Sequence, residues 1–136
     1  MNHIFIDIET YSSVDIKKSG LYKYCSSIDF EVLMVAYTLD KVNYEIVDLA
    51  CGEKLPKDFI QALKSDEWTK HAHNAAFERN CFARYGLNIP IHEWHCTAIK
   101  AAYCGLPLSL DNISKVLNLG DNGKDAAGKN LIRYFS

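Results

Sequence analysis

The sequence predicts an α/β domain built on a mixed sheet, and three patterns carry that reading. Ile4, Ile6 and Ile8 alternate with Phe5, Asp7 and Glu9, a period of two that belongs to a β-strand. The apolar run from Phe30 to Leu39 is followed, after Asp40-Lys-Val, by a second alternating stretch from Val42 to Val47, so residues 30–47 are expected to form a hairpin. Beyond it the apolar spacing lengthens to that of helices, and strands interleaved with amphipathic helices make an α/β fold.

Each element has its own justification. Residues 10–29 are irregular, with a short helix expected near Val14 to Lys18. The run from Phe30 has so few polar positions that it reads as a strand buried on both faces. Pro56 suits a helix start, and Phe59, Ile60 and Leu63 place one apolar face on a helix of about three turns. Trp68 to His73 reads as a short strand, and Asn74 is placed to cap a helix that Gly86 stops. Thr97–Tyr103 and Ser109–Leu117 form two further helices split by Gly105 and Pro107, and Gly128–Phe135 is a candidate last one.

Composition narrows the class. At 136 residues the chain is one domain's worth of sequence, and 49% hydrophobic with 24% charged residues excludes disorder as the main state. No apolar run is long enough to span a bilayer, and Asp7 falls where a signal peptide needs its apolar stretch, so a soluble protein without a membrane role is expected. Cys25, Cys51, Cys81, Cys96 and Cys104 form no Cys-x-x-Cys pair, and an odd count cannot be fully bridged within one chain; free thiols in a reducing cytoplasm fit. A net charge of −2 argues against a simple basic coat for nucleic acid, the basic excess being confined to residues 97–136. Bound cations supply positive charge that such a count misses.

The chemistry is concentrated in three acids. Side chains i and i+2 share a strand face, so Asp7 and Glu9 project together with Cα atoms roughly 6.6 Å apart. Two carboxylates so placed repel unless a cation lies between them; on an exposed strand they are simply solvated. Glu78 adds to the case. On a helical wheel with Phe77 at 0°, Cys81 falls at about 40°, Tyr85 at about 80°, Glu78 at about 100° and Phe82 at about 140°. Glu78 thus lies in the middle of the buried face, where a carboxylate needs a partner, a proton or a metal, unless its stem carries it out past Phe82.

Asp7-Ile-Glu9-Thr10 followed by Asn74-Ala-Ala-Phe77-Glu78 resembles the first two motifs of the DEDD (DnaQ-like) 3′-to-5′ exonucleases, Asp-x-Glu-Thr and Asn-x-x-Phe/Tyr-Asp. The chain is most similar to the N-terminal proofreading domain of phage-type family A DNA polymerases. The resemblance extends through Gly20-Leu-Tyr-Lys-Tyr24, His73 to Arg79, Trp94-His-Cys-Thr97, Gly105 to Leu110 and Gly128 to Phe135. It implies an RNase H-like mixed five-stranded sheet flanked by helices, with the acids gathered at one sheet edge. It also implies two divalent cations, Mg²⁺ or Mn²⁺, in the complete domain: Asp7 bridging them, Glu9 ligating one and orienting a water, and Glu78 in the second-motif position. Thr10, Asn74 and Phe77 match positions that hold the terminal nucleotide and the local backbone. The implied partners are a single-stranded DNA 3′ end and the polymerase domain of a longer protein, in the cytoplasm of a bacterial host of phage or prophage.

Two departures from the family pattern stand out. Glu78 replaces the usual Asp, and its extra methylene moves the carboxylate by about 1.5 Å, enough to make ligation water-mediated. No Tyr-x3-Asp or His-x4-Asp follows Glu78, so residues 1–136 read as an incomplete exonuclease-like domain, truncated at its C-terminus before the third catalytic motif. Tyr11 to Asp15 has the spacing but abuts the first motif and is read as coincidence. Other features have ordinary explanations. Gly123 to Asn130 nearly spells a P-loop, but Asn130 stands where the Mg²⁺-binding hydroxyl belongs. His71 and His73 lack a third ligand at zinc spacing, and Tyr22, Tyr24 and Tyr37 read as core. Lys115, Lys124, Lys129 and Arg133 suit a phosphate track or a solvated helix face equally. The rival to an exonuclease is an RNase H-like module that binds DNA ends or a polymerase without chemistry.

Overall fold

The alternating N-terminal run forms β1 (Asn2–Tyr11), and Ile4, Ile6 and Ile8 all turn into the core. In the computed structural model, which describes residues 1–120, the elements follow as α1 (Ile16–Ser19), α2 (Leu21–Ser26), β2 (Glu31–Thr38), β3 (Glu45–Asp48), α3 (Lys57–Lys64), β4 (Trp68–Ala72), α4 (Ala75–Arg84), β5 (Trp94–Cys96), α5 (Thr97–Tyr103) and α6 (Leu110–Val116). The candidate helix at Gly128–Phe135, the P-loop-like stretch, and Lys124, Lys129 and Arg133 lie outside the described residues.

The chain divides into a unit of Met1–Thr97 and a unit beginning at Ala98. In the first, the strand order is β3-β2-β1-β4-β5, with β1 antiparallel to β2 and parallel to β4, β3 antiparallel to β2, and β5 parallel to β4. This is the mixed sheet expected, and β1 is its central strand. Asp7 and Glu9 therefore sit on the middle strand rather than at a lateral edge of the sheet, because pairing on both sides of β1 encloses it.

Under the sheet, the apolar sides of α3 and α4 bring Phe59, Ala62, Leu63, Ala75, Cys81 and Phe82 against the isoleucines of β1. Phe82 stands between Phe59 and Trp94, ring centroids 6.1 and 6.4 Å away. Lys70 is fully buried, its stem in the apolar layer and its ammonium donating to the Ser65 carbonyl and paired with Glu93. Cys25 and Cys81 are buried free thiols with sulfurs 3.5 Å apart.

Several expectations are corrected. β2 is buried on one face rather than both: pairing with β1 shifts register between Glu9 and Thr10, which oppose Met34 and Val32. The bulge at Leu33 lets both Val32 and Val35 reach the core while Met34 stays exposed. The hairpin is present, but its connection runs from Leu39 to Tyr44 rather than being tight. Asp40 organises that loop, its carboxylate accepting from the backbone N–H groups of Val42 (2.8 Å) and Asn43 (2.7 Å). These bonds hold the Asp40 carboxyl well below the usual carboxylate range.

Helix α3 has two turns, not three, ending at Ser65. The short helix expected near residues 14–18 is α1, started by Asp15, whose side chain caps it by accepting from Lys17 N–H. Helix α2 and strand β5 had no strong signal of their own, being only six and three residues long. Tyr37 is core, but Tyr22 is 79% exposed on the outer side of α2, and Tyr85 leaves the buried arc of α4 because the helix ends before it.

In the second unit, Ser109 caps α6 by accepting from Asn112 N–H, and Lys115 pairs with Asp111 one turn away. Lys115 therefore lies on a solvated helix face. No helix among the described residues is long and apolar enough to cross a membrane.

Candidate active site

Asp7 and Glu9 project from the face of β1 opposite its buried isoleucines, and both are exposed. The central strand presents them without cover from the first unit's core. Just beyond them Thr10, two residues on from Ile8 on the same side of the strand, is half-buried, and its hydroxyl lies 2.8 Å from the Tyr24 hydroxyl.

Glu78 arrives from the other side of the core. Asn74, which links β4 to α4, adopts a left-handed conformation (φ 66°, ψ 54°) that asparagine tolerates better than most residues. It occupies the N-cap position as expected, yet its side chain makes no capping bond. A side-chain cap works from an extended backbone, and the left-handed geometry turns the amide away from the helix N–H groups. The Asn74 carbonyl instead accepts from Phe77 N–H at 2.9 Å, and the sharp entry places Phe77 and Glu78 in the first turn of α4.

Glu78 is 3% exposed, as the wheel required, and its Oε2 is buried with no hydrogen-bond partner. Burial pushes its carboxyl up to about 8; its own backbone N–H partly opposes the rise, and the charges of Asp7 and Cys96 add to it. The rise caused by Asp7 means that the two carboxyl groups, on β1 and α4, feel one another's field.

Among the described residues, no group of three or more His, Cys, Asp or Glu side chains stands close enough together to hold a metal ion. The gathering of Asp7, Glu9 and Glu78 into one cluster is therefore incomplete as the side chains stand: Asp7 and Glu9 are exposed on β1 while Glu78 is buried on α4. The donor chemistry does suit a hard divalent cation. All three groups offer carboxylate oxygens, and the orphaned Oε2 of Glu78 is a buried acceptor in need of a positive partner.

The remaining sequence candidates fall nearby. Phe77 is half-buried and Asn74 exposed, so both are open to a ligand at the mouth of α4. Tyr24 differs from its expected role: rather than lying wholly in the core, it is half-buried and touches Thr10, with its ring 5.8 Å from Phe30 and 6.2 Å from Phe77. Its phenol is raised by burial, with Cys81, Cys25 and Glu9 adding to the rise and the Thr10 bond opposing it. The histidines take structural partners, His71 bonding to His3 (2.8 Å) and stacking on Phe5, and His73 bonding to the Thr97 hydroxyl (3.0 Å).

No protein-family model matches the chain. Over 137 aligned positions spanning the whole chain, it is 47% identical to a DNA polymerase of Bacillus phage SP02, and it spans about a fifth (21%) of that relative's length. Among solved structures it resembles Escherichia coli RNase D, an exoribonuclease involved in structured RNA processing, with a TM-score of 0.64 at 17% identity over 93% of this chain and 30% of that one. Brucella melitensis NrnC bound to pGG gives 0.63 at 17% identity, over 91% of this chain and 56% of that one. The same protein with bound Mg²⁺ gives 0.60 at 19%, over 90% and 57%. At such identities the structural likeness is one of fold.

Proposed function

From a chain homologous to part of a phage DNA polymerase and folded as an RNase H-like exonuclease, we propose a 3′-to-5′ proofreading exonuclease unit that removes nucleotides from single-stranded DNA ends. The observation that carries the reading is Glu78, a carboxyl buried in the core with an unpartnered oxygen, in the field of Asp7 on the central strand. A purely structural helix has no use for an acid there, since burial of an unpaired carboxylate costs several kcal/mol.

In this reading Asp7, Glu9 and Glu78 hold divalent Mg²⁺ or Mn²⁺, as bound Mg²⁺ in NrnC supports for the fold. Bound cations of this kind activate a water and stabilise the departing 3′ oxygen of an in-line displacement. Asp7 and Glu9, exposed on β1, would supply carboxylate oxygens to the cations, and Glu9 would also orient the attacking water. Glu78 must give up its proton before it can ligate, which its carboxyl does only near pH 8 unless a cation assists. Thr10 and the exposed Asn74 hold the terminal nucleotide, and Phe77 offers its half-buried ring to the base. The 136 residues contain no Tyr-x3-Asp after Glu78, so in this reading they supply three of the four carboxylates of a two-cation site.

The test is digestion of 5′-labelled single-stranded DNA in Mg²⁺ or Mn²⁺. A chain extended through a Tyr-x3-Asp helix should shorten the label stepwise, and the 136-residue chain should be slower by orders of magnitude, because each metal contributes several kcal/mol to the barrier. Asp7→Ala should abolish the ladder. Equal turnover by both lengths would show that another residue completes the site. No ladder from the extended chain, with DNA still bound, would favour the binding module that the incomplete acid cluster allows.

A further inference from the structure

The segment between β1 and β2 folds back on itself and places one side chain against three parts of the site. Asp29 closes the segment, accepting from Ser13 N–H (3.2 and 3.3 Å) and from the Ser27 hydroxyl. Helix α2 is thereby held against α4, where Cys25 meets Cys81. Tyr24, one residue earlier, points to the C-terminal half of β1: its hydroxyl is 2.8 Å from the Thr10 hydroxyl, its ring is tilted against Phe77 at 6.2 Å, and Glu9 adds to the electrostatic field on its phenol. Tyr22, on the same helix, is exposed and shares none of these contacts.

We propose that Tyr24 is a positioning residue for the 3′-terminal nucleotide, fixing the Thr10 hydroxyl beside Glu9 and backing the Phe77 ring. The proposal rests on the exonuclease reading of the site and extends it to a residue outside the acid motifs. Thr10 pairs with Val32 just past the bulge at Leu33, one residue from the end of β1, and the Tyr24 hydroxyl is the side-chain partner of its hydroxyl. The two hydroxyls share one hydrogen bond, which fixes Thr10 Oγ1 and leaves the pair one further hydrogen to give to a sugar or phosphate oxygen of the nucleotide. Phe30 and Phe77 on either side hold the tyrosine ring, so the tether is rigid.

The experiment uses the full 136-residue chain with Ca²⁺ and the oligonucleotide (dT)₄ carrying a free 3′ hydroxyl, binding being read by calorimetry. A parallel Mn²⁺ titration of the wild type and Asp7→Ala tests the underlying reading separately. Tyr24→Phe keeps the ring and removes only the tether. It should weaken (dT)₄ binding about fivefold, the value of one hydrogen bond, and leave the Mn²⁺ heat unchanged. Tyr22→Phe should bind as the wild type does. Thr10→Val combined with Tyr24→Phe should bind no more weakly than Thr10→Val alone, since the two hydroxyls act as one unit.

A merely structural tyrosine would lower the melting temperature without changing the affinity of the folded protein. Wild-type affinity in Tyr24→Phe, additive losses in the double variant, or no (dT)₄ binding by a wild type with an Asp7-dependent Mn²⁺ heat would each overturn the proposal. Loss of the Asp7 dependence of the Mn²⁺ heat would overturn the exonuclease reading instead.

Discussion

Replacing Glu78 with Gln should make the protein more stable at alkaline pH and remove a pH dependence that the wild type carries. The side chain keeps its length and loses only the ability to ionise. In the folded chain burial raises the Glu78 carboxyl to about 8, whereas the unfolded chain returns it to the ordinary value of 4.5. A raised folded-state value means that the native protein holds a proton that the unfolded chain has released. The contribution is therefore fully present below pH 4.5 and is lost as pH rises towards 8. The slope is about 1.4 kcal/mol per pH unit, so over about 3.5 units the full loss is of order 5 kcal/mol, a ceiling because relaxation and water entry soften the burial. Gln brings its own cost of about 1–3 kcal/mol, since its amide meets the unpartnered surroundings of Oε2. Below pH 5 the variant should match the wild type or fall slightly below it, and above pH 8 it should be the more stable. Urea unfolding followed by circular dichroism from pH 4.5 to 9, without divalent cations, measures the crossing. Parallel stability profiles for the two proteins would refute the reasoning, because Glu78 would then not be a carboxyl held neutral by burial.

Two further outcomes test the packing that positions the site. Lys70→Met should cost about 3–5 kcal/mol in urea unfolding by leaving Glu93 and the Ser65 carbonyl without their cation, and adding Glu93→Gln should recover much of that loss. Phe82→Ala should cost a similar 3–5 kcal/mol by opening a cavity between Phe59 and Trp94, and should broaden the near-ultraviolet signal of Trp94.

Patterns dominated by one physical effect were legible in the sequence. Strand β1 had a clean period of two and became the central strand, and the wheel position of Glu78 was a burial argument that the structure bears out. Strand β5 and helix α2 were not legible, because three or six residues are too few to show a period and tertiary packing decides their conformation. The bulge at Leu33 was hidden in an apolar run whose every residue suited a strand; only pairing with β1 shows which side chains turn inward. Asn74 was read correctly as a boundary but for the wrong bond, since composition does not distinguish an extended cap from a left-handed one. Tyr24 was read as core rather than as a base-stacking platform; its hydroxyl finds Thr10 only through the fold of the intervening segment.

The central claim is that Asp7, Glu9 and Glu78 together form a divalent-cation site. Calorimetric titration of the 136-residue chain with Mn²⁺ at pH 7 and pH 8.5 tests it most directly. A weak heat of about one ion per chain is expected, because three acids offer fewer anionic oxygens than a two-ion site needs. It should grow with pH as Glu78 gives up its proton and be absent in Asp7→Ala. An equal heat in Asp7→Ala, or a heat indifferent to pH in the wild type and to Glu78→Gln, would contradict the account.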